Sequence, residues 1–200
     1  MVVFLGGFSI MVLEIIGARY LIKDFGSAFY VWISQIGVIL IALSLGYYFG
    51  GALADRFRSL QILAGLISVA GIFIMAIPHF ANRLIEKVVL RHPIDQEIPM
   101  IWQKLDPVIG SGLVFFFPCL VLAMIGPCMI RVLSKQLEHV GRISGQTYAF
   151  STFGSIVGVF LSGFVFLDHL RISNIFRLTG LITLLSAGLC LAIARRKVSS

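Results

Sequence analysis

Glu14 stands in the middle of an apolar run, with Arg19 five positions further on and Gln35 inside the next run. A carboxylate in hydrocarbon costs about 3 kcal/mol on insertion scales, so it requires a partner, a proton or a water-filled cavity. Five positions along a helix is a rotation of about 140°, which puts Glu14 and Arg19 on different faces and lets Arg19 snorkel outward. Gln35 enters its run from the opposite side, reaches a similar depth and is the expected polar neighbour of Glu14. Two uses of this group are open: a site sensitive to cations or protons, or hydrogen bonds that hold helices together.

A second set of polar residues lies where apolar runs end. Asp55 and Arg56 form a charged elbow, and Arg131 and Arg142 stand near the matching ends of later runs. In a carrier such charges would gate one mouth; in a static protein they would anchor the loops. Asp168-His169 is a candidate proton-responsive pair. Cys119, Cys128 and Cys190 all fall within apolar runs and suggest neither a disulfide framework nor a metal site. Gly6-Gly7 lies inside a run, so it cannot cradle a phosphate between strand and helix. No metal or cofactor is expected, and the scarcity of clustered His, Cys and carboxylates argues against a membrane-embedded enzyme.

The elements that must position these residues follow from composition. The 200 residues are 58% hydrophobic and 12% charged, against about one quarter charged in soluble domains. Apolar stretches near the roughly 20 residues needed to cross a bilayer occur at about 2–22, 29–52, 60–79, 107–132, 147–167 and 173–194. Lipid satisfies no open backbone group, so the expected fold is all-α and integral to the membrane, with six transmembrane helices in one domain over 1–200. The net charge of +7 is carried at the ends of the runs, where it meets lipid headgroups; nucleic acid is not an expected partner.

The segment 80–106 is the one long connection. Within it, Leu84, Ile85, Val88 and Val89 fall on one helical face and Arg83, Glu86, Lys87 and Arg91 on the other, which predicts an amphipathic helix on the membrane surface, ended by Pro93. Basic residues divide eight and eight between the two sides, but the short loop 133–146 is net basic, with Lys135 and Arg142 against Glu138, and the tail Arg195-Arg196-Lys197 is cleanly basic. Both termini are therefore expected in the cytoplasm, with the cell inner membrane as the location. Three spans, a long connection and three more spans is the plan of a 3+3 inverted repeat.

Small residues recur at helical spacing at Ala42, Gly46 and Gly50, and at Ser151, Ser155, Gly158 and Ser162 with Gly154 beside them, which predicts close helix packing. Pro118 and Pro127 each remove a backbone hydrogen bond, so the fourth span should be kinked or broken twice.

Two stretches carry a family resemblance. Gly51-Ala52-Leu53-Ala54-Asp55-Arg56 resembles the cytoplasmic loop signature of major facilitator transporters, although Phe57-Arg58-Ser59 lacks its second glycine. Residues 145–164, GQTYAFSTFGSIVGVFLSGF, resemble the fifth-helix signature of the membrane domain in fused major facilitator/spermidine synthase proteins at Gly145, Tyr148, Ala149, Thr152, Gly154, Gly158 and Gly163. Gln146 replaces the usual basic residue and Ser151 the usual Asn, while Glu14 and Arg19 stand where that family places a Glu and an Arg.

The resemblance implies half of a major facilitator-like fold. Family members commonly continue into a synthase domain that transfers an aminopropyl group to a polyamine, and no such domain is recognisable here, so no enzyme activity is expected of these residues. Two functions follow. One is a transporter-like protein that handles a small cation such as a polyamine, with Glu14, Arg19 and Gln35 at the site and Asp55, Arg56 and Arg142 at the cytoplasmic gate. The other is a membrane anchor or scaffold for a separate spermidine synthase-like enzyme, bound through 133–146 and Arg195-Arg196-Lys197. A half-fold would leave a cavity face open, so a homodimer or a partner membrane chain is expected in the bilayer.

Overall fold

The computed structural model describes residues 1–57, 60–92, 98–134 and 139–198. Arg58, Pro93 and Lys135 lie outside these, as do the side chains of Arg196 and Lys197. The described residues are almost wholly helical: α1 (Val2–Phe25), α2 (Ala28–Phe57), α3 (Leu60–Val89), α4 (Met100–Ser111), α5 (Phe117–Ala123), α6 (Ile125–Leu133), α7 (Val140–Leu161), α8 (Leu167–His169) and α9 (Ile172–Val198). A π-helical turn, Gly112–Phe116, joins α4 to α5, and another, Ser162–Phe166, joins α7 to α8. Grouped this way they form six helices long and apolar enough to cross a membrane.

The fourth of these, Met100–Leu133, changes helical character before each of its inner prolines. Pro118 has no N–H for the carbonyl of Val114, and the π-helical turn ends at Phe116. Pro127 leaves the carbonyl of Ala123 free in the same way, and α5 ends at that residue.

The long connection differs from the expected one. Asn82–Val89 are not a separate surface helix but the last turns of α3, and α4 begins at Met100. The amphipathy is real and has another use. Ile85 and Val88 are buried against the bundle while Arg83, Glu86 and Lys87 are exposed, so the apolar face keeps packing after the polar face has entered water. A helix satisfies its own backbone on either side of the membrane boundary, and nothing at position 80 obliges it to stop.

α1 is the central element. Of its most apolar stretch 67% is buried, against 17% for the fifth span. α1 packs mainly along α7 and then α9; α3 packs along α9, and α2 along the broken fourth span. Close backbone approach makes these contacts. A Cβ on Gly154 would run into the carbonyl oxygen of Phe4, and one on Gly158 would lie 2.7 Å from that of Phe8. Across the α2 contact, a Cβ on Gly46 would meet the Leu120 carbonyl, and one on Gly50 would lie 2.7 Å from Cα of Met124. α1 and α2 are joined through Gly26, whose φ of 68° lies in the left-handed region and whose N–H donates to the Ile22 carbonyl at 2.9 Å.

Candidate functional site

Gln35 is fully buried where α1, α2 and α4 meet. Its Nε2 donates to the carbonyl of Leu13 at 3.3 Å, and its Oε1 accepts from the hydroxyl of Ser111 at 2.6 Å. The space for this amide comes from Gly17, where a Cβ would collide with Nε2 itself and with the ring of Phe115 at 3.0 Å. Gln35 thus ties three spans together through one amide N–H and its carbonyl, and neither bond goes to Glu14. Gly17 and Ser111 were not singled out from the sequence. The available signal was depth, since Ser111 enters the fourth run about as far from the same face as Gln35 enters the second.

Glu14 is half-buried and makes no hydrogen bond or ion pair among the described residues. It lies near enough to the fully buried Cys119 of α5 to act on its thiol electrostatically, which places the carboxylate towards the fourth span. Arg19 is exposed and forms no ion pair among the described residues. One turn from Glu14, Ile10 borders a crevice with Gly7, Tyr47, Ala123, Tyr148 and Ser151, between α1, α2, α5 and α7. Its volume of about 20 Å³ admits roughly one water and no solute. Beyond the crevice Tyr47 and Tyr148 are both about half exposed, with Ser44 and Thr152 exposed on the same two helices.

At the face where α2 ends, Arg131 Nε lies 3.2 Å from Asp55 Oδ1, joining the end of α2 to the end of α6. Among the described residues Arg142 and Arg56 take no part in an ion pair there; Arg56 stacks on Phe57 instead. Asp168 and His169 are not paired with each other, since His169 Nδ1 donates to the carbonyl of Val165 at 2.9 Å.

The opposite face holds a cluster that was not foreseen. Asp106, nearly fully buried at the start of the fourth span, bonds Arg91 through Oδ1 and His92 Nε2 through Oδ2, the latter at 2.8 Å. The Arg91 guanidinium also stacks over Trp102, 4.1 Å from the ring centre. Beside it, Asn82 accepts from Tyr20 at 2.5 Å and from Lys23 at 3.1 Å. The hydrogen-bonded partners here stand 14 to 62 positions apart in the chain, so spacing alone carried no signal. A cavity of about 610 Å³ borders this cluster, lined by Asp24, Phe25, Ser27, Val89, Gln103 and Asp106.

Among the described residues no three His, Cys, Asp or Glu side chains are grouped to hold a metal, and the three thiols are free and buried. The arrangement is that of a multi-pass integral membrane protein with one unpaired carboxylate within its central span. Comparison with known proteins finds no matching family model, no similar curated protein and no similar solved structure.

Proposed function

We propose that the protein is a transporter-like member of the membrane-domain family it resembles, handling a small cationic solute such as a polyamine. The observation that carries this reading is Glu14: a half-buried carboxylate in the most buried span, left without a partner among the described residues, while Gln35 bonds Leu13 and Ser111 instead. An ionisable group kept unpaired at that depth is useful to a charged solute or a proton and is otherwise a liability.

The packing supports a 3+3 inverted repeat. Exchanging the first span with the fourth, the second with the fifth and the third with the sixth turns the α1–α7 contact into that between the fourth span and α2, and leaves the α3–α9 contact unchanged. In a half of a major facilitator-like fold, the exposed faces of α2 and α7 would border the solute path. Ser44, Tyr47, Tyr148 and Thr152 put hydroxyls there for which lipid has no partner. A homodimer or a partner membrane chain completes that cavity. The narrow crevice between Tyr47 and Tyr148 is then the closed gate on the Asp55 side, with the Asp55–Arg131 pair outside it. No catalytic role is assigned to these spans.

The test is uptake of radiolabelled spermidine by proteoliposomes under an imposed proton or potential gradient. The wild-type protein takes up the amine and Glu14→Gln does not. Absence of uptake under every gradient, or a fully active Glu14→Gln, refutes the reading.

A further inference from the structure

We propose that the crevice between α1, α6, α7 and α9 at the Asp55 face holds an acyl chain of one anionic phospholipid, with Gln146 on its glycerol esters and Arg142 on its phosphate. The crevice has a volume of about 370 Å³ and an almost wholly apolar wall that includes Val2, Met129, Ile143, Phe150, Leu189 and Ile193. That volume falls within the range of small-molecule sites.

Two polar side chains interrupt the wall, Gln146 and Thr147. Thr147 donates to the carbonyl of Ile143 at 2.8 Å and is satisfied. Gln146 is exposed and has no hydrogen-bond partner among the described residues. Its amide sits about one and a half turns inside α7, so in the bilayer it needs an acceptor that hydrocarbon cannot supply. Lipid ester carbonyls lie at that depth.

Charge agrees with the same occupant. Arg142 precedes Ile143 and lies four residues, one helical turn, from Gln146 on the same flank of α7. Arg142 is exposed and forms no ion pair among the described residues, whereas Arg131 is engaged with Asp55. Read along α7, the order Arg142, Gln146, Phe150 is the order of phosphate, ester and chain in a leaflet. Basic pockets between membrane helices select anionic headgroups in this way. The site is independent of transport, so it stands or falls separately from Glu14.

The experiment extracts the whole protein from vesicles of equal phosphatidylglycerol and phosphatidylcholine with matched chains and reads retained lipid by native mass spectrometry. One phosphatidylglycerol per chain is expected, with its preference over phosphatidylcholine reduced about five-fold in Arg142→Gln. Arg142 is exposed, so this variant leaves the packing intact. Leu189→Trp, which fills the crevice, should lower retention of both lipids. Equal retention of the two lipids by the wild-type protein overturns the proposal. So does a preference that survives in Arg142→Gln, which would assign that arginine to a protein contact instead.

Discussion

The joint of Gln35, Gly17, Leu13 and Ser111 makes a prediction whose magnitude can be worked out. Gln35→Ala removes two interhelical hydrogen bonds, each worth about 0.6 kcal/mol on average in a membrane and about 1.7 at most. It also leaves a void where a fully buried side chain stood, which adds roughly 2 kcal/mol. The Leu13 carbonyl keeps its place in the α1 ladder, and Ser111 can turn to its own preceding turn, so neither becomes a buried orphan. A total of about 3 kcal/mol corresponds to a fall of roughly 6–12 °C in melting temperature for a chain of this size.

Gly17→Ala acts on the same joint from the other side. Its methyl would strike the Gln35 amide and sit 3.0–3.1 Å from the Phe115 ring, an overpacking that costs about 1–3 kcal/mol. With alanine at 35 one of those two obstacles is gone. The double variant should therefore be less destabilised than the sum of the singles, by about 1 kcal/mol. The three buried free cysteines provide the assay, since a thiol-reactive fluorophore in detergent reports unfolding as each becomes accessible. Melting shifts that add within about 1 °C, or a Gln35→Ala shift below about 2 °C, would refute the account of Gln35 as a three-span tie.

The same melting assay checks three further expectations. Asp106→Asn should lower the melting temperature by about 4–8 °C, because it takes the charge from a buried acceptor of Arg91 and His92 while the partly exposed guanidinium softens the loss to roughly 2 kcal/mol; no shift would make that cluster ornamental. Gly154→Ala should destabilise by roughly 1–3 kcal/mol through the Phe4 carbonyl, whereas Gly37→Ala, with nothing near its Cβ, should be neutral or gain about 0.5–1 kcal/mol. Asp55→Ala breaks a solvent-exposed pair, so stability should move by less than about 1 kcal/mol; a change in spermidine uptake without one is the signature of a gate, and a large loss of stability would contradict it.

The six spans were legible because lipid permits one answer to a long apolar run. Their ends were less legible. α3 carries its helix past Phe80 on the strength of Ile85 and Val88, and a rule that stops spans at the first charges reads Arg83 and Glu86 as a boundary that the backbone does not feel. The breaks in the fourth span were readable from Pro118 and Pro127, since a missing N–H is a local fact. The partner of Asp106 was not, because Arg91 and His92 reach it across a connection whose course no local pattern sets.

Polar residues within spans show most clearly where sequence reasoning runs out. Thr147, Thr179 and Thr183 each satisfy a hydroxyl on the carbonyl four residues back, a solution available to any helix and visible from spacing alone. Gln35 and Glu14 have longer side chains, and no local acceptor or donor settles their needs. Gln35 found Leu13 and Ser111 because Gly17 opened the space, three residues on two other helices that only the packing brings together. Gln35 spends one amide N–H and its carbonyl on them, and neither bond goes to Glu14. The carboxylate, turned towards the fourth span, has no partner among the described residues, and the proposal of a carrier rests on that more than on the mere presence of a charge in the membrane.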